Sequence, residues 1–392
     1  AYNSVLAESR ALRAFSYLRL LTYFSTDMTN DNATGVMFVG DDVAEASDSY
    51  PRVSNGIIFT AMEDDLNFAY NNISTTNYKY VTKNMIDALR ARMYLYRGNY
   101  ILAKQYAETV IGTSSLQLTN ATPVPNNAPL NGAAGSGAWN ASFYSSNSTN
   151  PYRKMWNDSA QGEVIFAFDR PSSGSWENIA SNFTTNTTSA SGSPLHELSR
   201  DLFNKLASTS GDVRRYTNVD PTSIINPAYD TPGVDYISTD VLVIDKYPGK
   251  SGYPLRNDVK VFRLSEMYFI LAECYAHDGN INGATNSVAS VIKKIRDARN
   301  FLGAQPLPTY ANATEAYADI LLERRLELCF EGHRYIDVKR IGSLAGKQIE
   351  RNITDDAIPG ILTIPNDDYR YTMPIPRAEL NANGLMVPNP GY

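Results

Sequence analysis

One pattern recurs in this chain and narrows its possible folds more than any other. The run Ala91-x-Met93-Tyr94-x-x-x-Gly98-Asn99-Tyr100-x-x-Ala103 returns as Ala272-x-Cys274-Tyr275-x-x-x-Gly279-Asn280-Ile281-x-x-Ala284. A shorter copy, Ala11-Leu12-Arg13-Ala14 followed by Tyr17-Leu18, matches Ala88-Leu89-Arg90-Ala91 followed by Tyr94-Leu95. Each long copy reads as a helix, a Gly-Asn turn and a second helix. Glycine tolerates the left-handed dihedrals that end a helix, Asn caps the next one, and a small Ala at the crossing lets the two approach closely. The two complete pairs lie far apart, which excludes a clean tandem array and predicts an interrupted helical scaffold.

The other helical signals gather at the two ends. Leu12, Phe15, Leu18 and Thr22 recur at helical spacing within 7–26, and Ile58, Met62, Leu66, Ala69 and Ile73 do so after a candidate cap at Ser54. Further helices are predicted over 81–98, 100–112, 262–276, 281–299 and 314–341. The pairs resemble tetratricopeptide (TPR) units. Between about 113 and 260 the chain is rich in Gly, Ser, Asn and Thr and reads as long loops, with short strand candidates at 164–168 and 241–244. The expected fold is mainly α: TPR-like helix pairs form a scaffold over 7–112 and 261–345, around a loop-rich excursion over 113–260 that contains a few short strands. A tail over 346–392 completes a single domain.

Composition excludes several function classes. Charged residues make up 19%, with 35 basic against 41 acidic for a net charge of −6, a balance that argues against a general nucleic-acid binder. No apolar run approaches the ~18 residues of a membrane span, and no basic n-region with an apolar h-region opens the chain. Three His and two Cys leave little for a His/Cys metal site or a thiol enzyme. Cys274 and Cys329 sit in apolar helical patterns and read as buried thiols. No nucleophile elbow, Walker loop, HExxH or CxxC occurs. The run Asn30-x-Asn32-x-Thr34-Gly35 echoes a calcium loop but has too few early carboxylates. No catalytic residue, metal or cofactor is expected.

The densest charged stretch is Glu323-Arg-Arg-Leu-Glu327-Leu-Cys-Phe-Glu331-Gly-His333-Arg334-Tyr-Ile-Asp337-Val-Lys-Arg340. Helical spacing stacks Glu323, Glu327 and Glu331 on one face, where they repel unless arginines pair with them. Spacing suggests Arg324 with Glu327, Arg334 with Glu331 and Asp337, and Arg340 with Asp337, with His333 in the same network. Gly332 costs about 1 kcal/mol inside a helix, so a break is expected there. The structural reading is an ion-pair network tying this helix to its neighbours; the functional reading is a charged catalytic cluster.

The same stretch, ERRLELCFEGHRYIDVKRIG, resembles the signature ERR-x-EL-x-FEG-x-R-x-x-D-x-x-R of the SusD/RagB family. RALRAFSYLRLLTYF, PRVSNGIIFTAMEDDLNFA, FRLSEMYFILAECYA and MPIPRAELNANGLMVPNPGY resemble further family segments in the same order. The resemblance implies an α-rich scaffold with no catalysis. It implies capture of oligosaccharides at the outer membrane of Bacteroidetes, beside a SusC-like TonB-dependent transporter as partner. A lipid anchor is also implied, although none is visible in this chain.

Sugar recognition without catalysis needs aromatic faces for the pyranose ring and convergent polar groups for its hydroxyls. The resemblance carries over no ligand contact, so candidates come from the loops: Trp176 first, then Trp139 and Tyr144, then Tyr50. Trp156, just before a candidate strand, reads as core. Tyr17, Tyr94 and Tyr275 occupy matching repeat positions and read as scaffold. The alternatives are a peptide-binding member of the same family, a TPR-type adaptor for protein partners, and a glycan-active enzyme.

Overall fold

The computed structural model describes residues 2–41, 45, 48–123, 149–171, 179–183, 196–220, 223–226, 240–251, 253, 256–351 and 362–392. Trp139, Tyr144 and Trp176 lie outside these residues.

Helix α1 (Tyr2–Phe24) packs along α2 (Asn55–Asn72), and α3 (Lys83–Tyr96) along α4 (Tyr100–Thr113). After β4 (Val259–Arg263), α8 (Leu264–His277) packs against α4, and α9 (Val288–Arg299) and α10 (Ala313–Glu327) pack against α8. One large apolar core runs through this stack. Ala91, Ala103 and Ala272 are fully buried in it, consistent with close approach of the helices. The first Gly-Asn turn works as its residues dictate: Gly98 takes φ 73° and the Asn99 side chain accepts from the Leu102 amide. The scaffold tyrosines are likewise placed, with Tyr94 stacked on Tyr106 at 5.8 Å.

The second turn departs from the repeat. Gly279 is left-handed, but α9 starts only at Val288, where Ser287 and Ser290 form a capping box. The Asn280 side chain therefore does not cap α9, although its carbonyl accepts from the Val288 amide at 3.0 Å, and Ala284 is exposed rather than at a crossing. The extra loop is held left-handed at Gly283 and Asn286, which breaks the helical register assumed over 281–299. The helix expected over 314–341 is also two. The break falls between α10 and α11 (Arg334–Ile341), where Gly332 takes φ 81°. Phe262 belongs to β4 and not to the following helix. Ser54 precedes α2 without donating or accepting a capping bond.

Between the scaffold halves lie α5 (Pro151–Trp156), β3 (Val164–Phe168), α6 (Arg200–Ala207) and α7 (Val213–Asn218). This region carries two apolar clusters of its own, one around Tyr152, Met155 and Trp156, the other around Leu202, Phe203, Leu206 and Cys329. Both cysteines are free and buried. Strand β3 pairs antiparallel with β4, setting Val164 opposite Arg263. The candidate strand at 241–244 makes only isolated bridges, Ile224 with Val241 and Val219 with Ile244. Its Val243 amide goes instead to the Ser223 hydroxyl. Two further ribbons, β1 (Thr34–Met37) with β2 (Arg52–Ser54) and β5 (Ile349–Glu350) with β6 (Thr363–Ile364), precede a short α12 (Arg377–Ala382). No described helix is long and apolar enough to cross a membrane.

Candidate functional site

The signature charges fold into a closed interior network. Glu327, fully buried, accepts from Arg263 at 2.7 Å and from Arg299 at 2.9 Å, and Arg214 lies 3.4 Å away. Arg263 and Arg299 both also reach Glu163, at 2.7 and 2.8 Å. Glu331 pairs with Arg263 and Lys246, and Glu323 with Arg214 and Arg296. Burial alone would raise the Glu327 carboxyl, but Arg299 and Arg263 outweigh it and hold the group well below the usual carboxylate range. Every carboxylate at this centre is already committed to guanidinium or ammonium groups, so it leaves no general base facing a cavity.

The individual pairings differ from those suggested by spacing. Arg324 meets Asp337 at 2.7 Å, and Arg340 meets Glu273 at 2.8 Å, with Asp337 a weaker partner at 3.4 Å. Arg334 pairs with neither Glu331 nor Asp337. The left-handed turn at Gly332 breaks the helix between Glu331 and Arg334, while Asp337, in the same helix as Arg334, is taken by Arg324. His333 is buried among Arg92, Arg324 and Arg263, and burial with these charges drives its imidazole well below its ordinary value, leaving it neutral.

Two open cavities offer contrasting chemistry. A groove of about 640 Å³ runs between α1, β1 and the tail, lined by Leu20, Phe24, Met37, Val39, Ile375 and Met386. Its arginines are occupied: Arg13 forks onto Asp65 at 2.7 and 2.6 Å, and Arg52 donates to the Gly35, Phe24 and Val387 carbonyls. It offers apolar surface and little that would hold a hydroxyl.

The second cavity, about 850 Å³, opens where α2 ends, α3 begins and α4 ends. Local sequence builds it. Helix α2 stops at Ile73, which is extended, and Thr82 restarts the chain as α3 by accepting from the Met85 amide. That start places Lys83 and Asp87 one turn apart on one face. Tyr70 and Tyr78 supply aromatic rings, with the Lys83 ammonium 4.8 Å from the Tyr70 ring centre. Hydroxyls of Ser74, Thr75 and Thr76 and the amides of Asn84 and Gln161 complete the lining.

Asp87 is the chemically unusual member. It is 4% exposed, and its nearest cation is Arg90 at 3.9 Å. No hydrogen bond among the described residues reaches its oxygens. Burial, only partly offset by Arg90 and Lys83, pushes its carboxyl up to about 6. Its oxygens open on the cleft, where a ligand's hydroxyl can donate to them.

Sequence reasoning did not single out Asp87, Tyr70 or Tyr78. A signal existed: Asp87 interrupts the buried run Met85-Ile86-Asp87-Ala88-Leu89. Of the four aromatic candidates, Tyr50 alone lies within the described residues. It is half-buried, and its carbonyl accepts from Asn383 of the tail at 2.9 Å. Tyr50 therefore sits with the tail beside the apolar groove, and it does not line the polar cleft. Trp156 is fully buried, as read. The Asn30–Gly35 run forms a turn closed by the Asn32 amide on the Asn30 side chain and leads into β1.

The described residues form a stacked helical scaffold with a polar, aromatic cleft at its helix ends. Residues 162–392 match the profile of the SusD family, and the chain belongs to that family. It is 22% identical to SusD-like protein P2 of Formosa agariphila, over all of this chain and 74% of that protein. The fold is similar to a SusD superfamily protein of Bacteroides thetaiotaomicron, with TM-score 0.69, 21% identity, and 99% of this chain and 78% of that one covered. It is also similar to a SusD-like carbohydrate binding protein of Bacteroides vulgatus, with TM-score 0.65, 18% identity, and 98% and 77% covered.

Proposed function

We propose that this protein binds oligosaccharides at the outer-membrane surface without altering them and passes them to a SusC-like TonB-dependent transporter. Family membership supports this reading, as does the similarity to a SusD-like carbohydrate binding protein. The observation that carries it is Asp87: a buried carboxylate, 3.9 Å from Arg90 and without a hydrogen-bond donor among the described residues, in a cleft with two tyrosines and several hydroxyls and amides. Sugar hydroxyls are donors of the kind this carboxylate lacks, and the tyrosine rings suit the apolar face of a pyranose. Trp176, Trp139 and Tyr144 are proposed as further stacking surfaces; Tyr50 is a separate candidate beside the apolar groove. Outer-membrane attachment through a lipid anchor is part of the same proposal.

The test is calorimetry against a panel of polysaccharides and peptides. Asp87→Asn is expected to weaken glycan binding by tenfold or more, since a hydrogen bond to a charged group contributes about 1.5–3 kcal/mol. Binding of peptides and of no glycan would replace this reading with the peptide-binding alternative. Turnover of a bound glycan would remove the non-catalytic claim.

The same substitution is expected to stabilise the free protein by about 1–3 kcal/mol at pH 7. The sign follows from proton binding. The folded-state carboxyl, raised to about 6 from 3.8, holds its proton where the unfolded chain has lost it. Its contribution to stability therefore falls as pH rises from about 4 to 6. Urea unfolding of both proteins should show the Asp87→Asn advantage absent below pH 4 and complete above pH 6. Glycan affinity of the wild type should rise as the folded-state carboxyl ionises, across an interval centred on about pH 6.

A further inference from the structure

We propose that the cavity between α6, α10, α11 and β5 binds an oxyanion, a carboxylate or sulfate group, on the Arg334 guanidinium. The cavity measures about 580 Å³ and shares no lining residue with the cleft around Asp87. It is thus a second site, and its test can fail without touching the glycan reading.

Arg334 is the first residue of α11 and is half-buried. The other arginines of the signature are all paired: Arg324 with Asp337, Arg325 with Asp201 at 2.8 Å, and Arg340 with Glu273. Among the described residues the Arg334 guanidinium makes no ion pair and no hydrogen bond. A guanidinium withdrawn from water keeps its charge at a cost unless an anion or several acceptors face it. Burial pushes Arg334 down to about 10, far for a group that ordinarily never titrates.

The acids nearby are already committed. Asp201 is shared by Lys205 and Arg325. Asp319 is held by Arg296 and by the Tyr310 hydroxyl at 2.8 Å. Glu350 and Lys347 are both exposed at the rim and offset one another. Lys205 and Arg325 share the Asp201 carboxylate, so with Arg334 the lining is cationic on a chain whose net charge is −6. A planar guanidinium fork matches the two oxygens of a carboxylate or of a sulfate, and a neutral sugar ring would leave its charge uncompensated.

The experiment titrates sodium sulfate and sodium glucuronate at matched ionic strength, with glucose as the neutral control, read by calorimetry and thermal shift. Wild-type protein should bind at least one anion saturably and ignore glucose. Arg334→Met should weaken that binding at least tenfold, and Arg334→Lys, which keeps the charge but loses the fork, should fall between the two. Binding of sulfate alone assigns the site to a free inorganic ion; binding of glucuronate assigns it to an acidic sugar. No saturable anion binding by the wild type overturns the proposal, as does unchanged affinity in Arg334→Met. Should Arg334→Met fail to fold, Lys347→Met at the exposed rim decides: a several-fold loss supports the site, and an unchanged affinity overturns it.

Discussion

Glu327→Ala is expected to lower the free energy of unfolding by about 3–5 kcal/mol, because it removes one member of a buried charge network and strands its partners. The Glu327 carboxylate lies between Arg263, Arg299 and Arg214, all with side chains at most 2% exposed. Its backbone carbonyl also accepts from Lys246 at 2.9 Å and from Arg263 at 3.0 Å, and those bonds survive the substitution. What is lost is the negative charge, and three interior guanidinium groups must then share Glu163, Glu323, Glu331 and Asp212. Urea denaturation measures the effect. A loss below 1 kcal/mol would show that the network does not hold the fold. Coupling gives a sharper check: Arg299→Met combined with Glu327→Ala should cost clearly less than the two single changes added, since each deletion exposes the same defect. The pH dependence has a definite sign. Glu327 is held well below its unfolded value, so its contribution is complete above the ordinary carboxylate range and is lost as pH falls. The wild type should lose stability on acidification more steeply than Glu327→Ala.

Trp156→Ala is expected to cost a similar amount, about 3–5 kcal/mol, through a different mechanism. Trp156 is the largest fully buried side chain among the described residues. Its ring lies edge-on to Tyr247 at 5.6 Å and beneath the Lys246, Lys260 and Arg263 cations, 4.5 to 5.2 Å from the ring centre. Truncation opens a cavity under the charge network and withdraws the π face that these cations rest on. Trp156→Phe keeps a face and most of the volume. It also removes an indole N–H that finds no acceptor among the described residues, so its cost should be well under half that of Ala. Equal losses for Ala and Phe would show that ring contact with the cations contributes little.

Much of the scaffold was legible because its signals are local. The spacing of Ile58, Met62, Leu66 and Ala69 names the buried face of α2, and all four are buried. Gly98 and Asn99 announce a turn that depends only on its own dihedrals and one capping bond. The same reasoning failed over 281–299, where the repeat fits until Gly283 and Asn286 adopt left-handed dihedrals and postpone the helix. Sequence similarity between the two pairs does not reveal an altered loop inside one of them.

The candidate cleft was poorly legible. Loop aromatics were the natural choices for a sugar, yet the cleft is built from the helix ends around Tyr70, Asp87 and Thr113. These residues belong to three different helices, and none is unusual among its sequence neighbours except Asp87.

The sequence by itself determined most of the helices, the first Gly-Asn turn, the family and the dense charge of the signature segment. These follow from periodicity, capping and motif order, all expressed within a few residues. Tertiary structure alone decided which charges meet. Glu327 and Glu163 find Arg299 from 28 and 136 residues away, whereas sequence spacing speaks only for neighbours within one turn. It also decided which charged groups are left short of partners among the described residues, Asp87 in the polar cleft with Arg90 at 3.9 Å, and Arg334 in the basic cavity. An unpaired charge is a property of everything packed around it, and that surrounding is assembled only when distant segments fold together.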